Sequence, residues 1–204
     1  MRFAATLIAI SVAAAPALAD DPKPLRESSA TARQEMERFG TCVADRSPEK
    51  AAQTLSMDFR STTYQSAMRN LARANEDCFR RYRDAMRANN LSFAGTMAER
   101  LIERDTTPIN VRIARTAHVP VPPRTPSDAI AICVVRSAPD EVGKLFATEV
   151  ASEGEQAAIK DLQFVTNLCS QGQPKLETTV EGMRAMLATA AFRTINAGAA
   201  EAAK

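Results

Sequence analysis

Four cysteines, Cys42, Cys78, Cys133 and Cys169, offer the most direct chemistry in this chain. They could form redox couples, bind a metal or make structural bridges, and their spacing separates these roles. No Cys-x-x-Cys is present, so the sequence lacks the signature of a dithiol redox centre or a paired zinc knuckle. The single histidine, His118, has no Cys, Asp or Glu near it in sequence, which removes the usual zinc spacing and leaves a Ser or Cys nucleophile without an imidazole base. There is no Gly-x-Ser-x-Gly elbow and no glycine-rich phosphate loop. We read no catalytic residue, metal ligand or cofactor from the sequence.

Three other sets of residues bear on binding. Arg69, Arg73, Arg80, Arg83 and Arg87 recur at helical spacing and would form one basic stripe, able to meet the phosphates of an anionic envelope component. Glu76, Asp77 and Asp84 lie four residues from Arg80 or Arg81, which favours ordinary ion pairs on a solvated face. Met36, Met57, Met68, Met86 and Met97 suit either a core or the wall of an adaptable apolar cavity. Glu99 and Glu103 have the i, i+4 spacing of an acid/base pair, but Arg100 and Arg104 beside them point to a solvated face.

The elements that position these residues follow from a repeat. Shifting the chain by 91 residues aligns Cys42 with Cys133, Val43 with Val134, Pro48 with Pro139, Ser61 with Ser152, Gln65 with Gln156, Leu71 with Leu162 and Cys78 with Cys169, without a gap. A period this long marks a copied domain or half-domain rather than a short solenoid unit. In the first copy Ala32, Met36, Phe39 and Val43 give one helix face; Thr125-Pro126-Ser127-Asp128 opens its counterpart with a capping box. Pro48 and Pro139 then stand at the first position of a second helix, where a missing N–H costs nothing.

A third, long helix carries Tyr64, Met68, Leu71, Cys78, Tyr82 and Met86, matched by Ile159, Leu162, Val165 and Cys169, with Thr62 to Gln65 and Ser152 to Glu155 as capping boxes. A fourth carries Phe93, Met97 and Leu101, matched by Val180, Met183, Leu187 and Ala191 behind a cap formed by Thr178 and Glu181. The fold class is therefore all-α: two tandem four-helix units, residues 20–105 and 125–204. Between them, residues 106–124 hold Pro108, Pro120, Pro122 and Pro123, a density that predicts an extended connection.

Residues 1–19 combine Arg2, an apolar run and Ala17-Leu18-Ala19 before Asp20-Asp21, the pattern of a cleaved signal peptide. The run is too short to span a bilayer, so no transmembrane segment is expected after cleavage. About 185 residues remain, enough for one or two cores. The formal charge of +2 argues by itself neither for nor against a nucleic-acid partner, and none is expected. In an exported chain four cysteines imply bridges. Three pairings are possible, and the repeat selects Cys42 with Cys78 and Cys133 with Cys169, each stabilising its unit by roughly 3–4 kcal/mol in the chain-entropy account.

Two Cys-Val units, each followed by Pro, a second Cys and a helix such as MAERLIER or LATAAFRT, resemble uncharacterised secreted proteins of alphaproteobacteria, of the sphingomonad type. The resemblance implies a periplasmic protein of a Gram-negative cell and brings no functional residue with it. The expected function is that of an exported binding module, its partner an envelope protein or anionic envelope component met through the arginine stripe. The alternative is a carrier that holds a small hydrophobic ligand in a methionine-lined cavity.

Overall fold

Hydroxyl caps and N-terminal prolines start the helices of this chain. In the computed structural model, which describes residues 25–79, 90–116 and 118–202, with side chains through Ala197, all regular secondary structure is helical. Ser29 caps α1 (Ala30–Arg46) by accepting the Ala32 N–H, and Pro48 opens α2 (Pro48–Ser56). α3 (Thr62–Ala74) begins at Ser61, whose hydroxyl accepts the Tyr64 N–H, and α4 (Asn90–Glu103) completes the first unit. α5 (Ile109–Thr116) follows. α6 (Pro126–Ser137), capped by Thr125, and α7 (Pro139–Phe146) then repeat α1 and α2. α8 (Glu153–Asp161), capped by Ser152, and α9 (Gln163–Cys169) occupy the place of the third helix, and α10 (Val180–Ala202) that of the fourth.

The chain thus folds as two tandem helical units, each closed by its own disulfide: Cys42–Cys78 and Cys133–Cys169, both 36 residues apart. The bridges tie the first helix of each unit to a segment past its third-helix start: Cys78 follows the end of α3 and Cys169 closes α9.

Four expectations need correction. The third helix is not continuous. In the first unit it stops at Asn75, whose side-chain amide donates to the Leu71 carbonyl at 2.9 Å while Ser47 meets its carbonyl oxygen at 3.2 Å; a 3-10 turn, Glu76–Phe79, then brings Cys78 to Cys42. Asn competes in this way with the helical ladder. The second-unit helix breaks at Leu162 between α8 and α9. Second, the cap of α3 is Ser61 rather than Thr62, and third, that of α10 is Thr179 rather than Thr178, since Thr179 accepts the Gly182 N–H at 3.0 Å. Finally, the connection is not extended throughout: its prolines bracket residues 109–119 without interrupting them, and α5 forms there with Ile113 wholly buried. The signal segment 1–19, Tyr82 and Met86 lie outside the described residues.

The two units share one core. α4 and α10 pack together at its centre, and most of α10 is covered: Met183, Ala185, Leu187, Ala188, Ala190, Ala191 and Phe192 are all buried, while Met186, Thr189 and Arg193 are half-buried on one face. A helix with so wide an apolar surface belongs largely in an interior. The approach of α4 to α10 depends on Gly95, because a Cβ there would sit 2.6 Å from the Cα of Ala185. Phe39 of α1 stacks on Phe93 of α4 at 4.9 Å and meets Phe79, beside the first bridge, at 4.0 Å. Both unit and seam are held mainly by this apolar burial, the dominant favourable contribution to folding.

Candidate functional site

Two features arise where the units meet. One is an ionic chain inside the seam. Arg33 of α1 is buried, and its Nη2 donates to both oxygens of Glu155 on α8 at 2.6 Å; Nη1 lies 3.1 Å from Glu27. Glu155 is wholly buried and also accepts from Arg184 Nη1 of α10 at 3.2 Å and from the Ala151 N–H at 3.1 Å. Arg184 in turn donates through Nε to Glu99 of α4 at 3.0 Å and through Nη2 to the other Glu99 oxygen. Glu27, ahead of α1, accepts the N–H groups of Val180 and Glu181 at the start of α10 at 2.9 and 2.8 Å, where the helix dipole favours a carboxylate. Burial pushes Glu99 up to about 7, against the pull of Arg184; Glu103 and Glu37 reinforce the rise.

The glutamate pair foreseen on α4 is therefore divided. Glu99 is only 12 % exposed and pairs with an arginine from the other unit, whereas Glu103 is exposed and pairs with Arg100 at 3.7 Å. Their carboxylates do not form an acid/base couple, and the solvated face foreseen for them holds for Glu103 alone. Among the described residues each buried charge, on Arg33, Asp128, Glu155 and Arg184, has an opposite partner, as burial requires. Arg33 shows how sequence reasoning missed this: helical spacing assigned Ala32 to the inner face, but Ala32 is exposed and Arg33 points inward to Glu155, 122 positions away.

The second feature is a cleft of about 260 Å³ between the units, walled by α2, α3 and α4 on one side and α6 and α10 on the other. Leu55, Phe59, Tyr64, Leu91, Ala94 and Met186 give it a mostly apolar surface. Its polar side is built by the N-terminus of α6: Thr125 caps the helix, Asp128 accepts the backbone N–H of Arg124 at 2.8 Å, and Arg193 of α10 holds Asp128 at 2.7 and 2.8 Å. Arg124 lies over the Phe59 ring at 5.6 Å, a cation–π distance, and Nη2 donates to the Ser56 carbonyl at 2.8 Å. Burial and the neighbouring Arg193 lower its proton affinity. Asn90 donates to Gln65 at one rim.

The residues singled out from sequence distribute differently. Arg69 and Arg73 are exposed on α3, Arg69 donating to Ser66 at 3.0 Å, while Arg80, Arg83 and Arg87 lie outside the described residues. Met36, Met68 and Met97 are core side chains, Met57 is half-buried against them, and Met86 lies outside the described residues. None of the four described ones lines the cleft, whose only methionine among the described lining residues is Met186 of the second unit. His118 is exposed, and no group of three His, Cys, Asp or Glu side chains among the described residues is arranged to hold a metal ion. No helix among the described residues is long and apolar enough to cross a membrane. The cleft itself carried one sequence signal, the Thr125 capping box, but its remaining walls come from distant segments.

No known protein family matches the chain, and neither a curated protein nor a solved structure is significantly similar to it.

Proposed function

We propose that the mature chain is an exported binding module of the periplasm, formed by tandem duplication, whose ligand site is the cleft between its two units. Two disulfides and the absence of a membrane-spanning helix among the described residues support an exported, released product. The observation that carries the ligand-binding reading is the cleft: an apolar, concave surface with a few converging polar groups, placed where two packed units meet. Its volume is above the roughly 150 Å³ of an apolar cavity that takes benzene and below the usual range for drug-sized molecules, so the ligand is small.

Native mass spectrometry of the protein isolated from its own envelope, beside a Thr189→Trp variant, tests this. Thr189 lines the cleft, and an indole there would fill it. A small-molecule adduct on the natural chain that disappears from the variant is expected. An adduct of equal abundance on both, or none on either together with no thermal stabilisation by small apolar probes, would overturn the reading.

A second reading assigns recognition of an anionic envelope component to the arginine stripe, supported by the exposure of Arg69 and Arg73. It predicts that Arg80→Gln, Arg83→Gln and Arg87→Gln together abolish association with envelope fractions at low salt. Unchanged association would end it.

A further inference from the structure

Building on the reading of the cleft as the ligand site, we infer that its occupant is a small hydrophobic monocarboxylate, the carboxylate held by Arg124 and Tyr64 and the apolar body by Leu55, Phe59, Leu91 and Met186. The argument begins with charge. Arg33, Arg184 and Arg193 each have a carboxylate within salt-bridge distance, but Arg124, half-buried at the cleft, has none among the described residues. Its side chain makes one hydrogen bond, from Nη2 to a backbone carbonyl, leaving Nε and Nη1 without a partner among those residues. Asp128 does not neutralise it, because both Asp128 oxygens are taken by Arg193. Arg124, Arg193 and Asp128 leave the cleft with one net positive charge, which matches a single anionic headgroup.

Tyr64 supplies the second donor. It is only 5 % exposed, it lines the cleft, and its hydroxyl has no hydrogen-bond partner among the described residues. That hydroxyl is not among the buried polar atoms left without a partner, so it opens on the cleft and can donate to a ligand there. A ligand that offers an acceptor to this hydroxyl and a negative charge to the guanidinium complements both, and a carboxylate does so. The remaining wall is apolar and, at about 260 Å³, accommodates one ring or a medium alkyl chain rather than a long acyl chain.

Calorimetric titration of the mature chain with octanoate, 4-phenylbutyrate, octanamide and octyl phosphate tests the assignment. A charge-assisted hydrogen bond predicts that octanoate binds about tenfold or more tighter than octanamide. Arg124→Gln should weaken octanoate far more than octanamide and so remove most of that difference, Arg124→Lys should restore part of it, and Tyr64→Phe should weaken octanoate more than octanamide. Equal affinity for octanoate and octanamide would overturn the carboxylate inference and leave the cleft standing, as would tighter binding of octyl phosphate. Binding of none of these, or equal binding of octanoate to Thr189→Trp, would overturn both.

Discussion

Glu155→Gln is the most informative perturbation of the seam. Gln keeps the volume but removes the charge that two guanidiniums share: Arg33 Nη2 at 2.6 Å and Arg184 Nη1 at 3.2 Å, at a position with no solvent exposure. One face of the new amide would present N–H groups to a cation. Removing one partner of a buried ionic group costs about 3–5 kcal/mol. Here the lower end applies, because Arg33 retains Glu27 and Arg184 retains Glu99. A loss of about 3 kcal/mol should lower the melting temperature by roughly 6–12 °C in a chain of this size. Urea unfolding followed by far-ultraviolet circular dichroism suits a helical protein without tryptophan and should show a lower midpoint at unchanged slope. Combining it with Arg33→Met should cost less than the sum of the two single changes, since they share one interaction. A Glu155→Gln protein within about 1 kcal/mol of the natural one would refute the reasoning that this network adds to the stability of the seam.

Three further outcomes follow from the same contacts. Glu99 is raised from 4.5 to about 7, so between those pH values the folded state binds more protons than the unfolded state; stability should therefore fall as pH rises through that window, by on the order of 3 kcal/mol, and level off above it, with Glu99→Gln flattening the profile. Urea midpoints that rise from pH 5 to 7 would contradict this. Gly95→Ala should destabilise by about 1–3 kcal/mol, because the added methyl meets Ala185 at 2.6 Å; a gain of the size expected from helix propensity, about 1 kcal/mol, would show that α4 and α10 are not so close. Cys78→Ser should cost roughly 4 kcal/mol on the chain-entropy account, with peptide mapping still finding Cys133 joined to Cys169, and unfolding should remain one transition because the core is shared. Separate transitions for the two units would oppose that last expectation.

Much of the fold was legible in the residues. Pro48, Pro139, Thr125 and Ser152 start helices where their local chemistry says they should, and the 91-residue offset selected both disulfides. These signals are short in range or repeated, so each can be read without knowing what lies across the molecule. The break at Asn75 was less visible, since Tyr64, Met68, Leu71 and Cys78 keep helical spacing straight through it. Periodicity records which residues face inward and is blind to a kink that preserves the facing side.

The candidate site lies on the other side of that divide. Arg33 with Glu155 and Glu99 with Arg184 are pairs 122 and 85 positions apart, and nothing in either segment announces its partner. Sequence determined an all-helical chain of two similar units, each with one bridge, because caps, prolines, apolar spacing and repeated cysteines act locally or by repetition. Only the tertiary structure decided that the units share a core, that Gly95 and Ala185 set their separation, and that Arg124 and Tyr64 face one cleft. Packing between remote helices is chosen by shape and charge across the seam, and those complementarities exist only once both surfaces are formed.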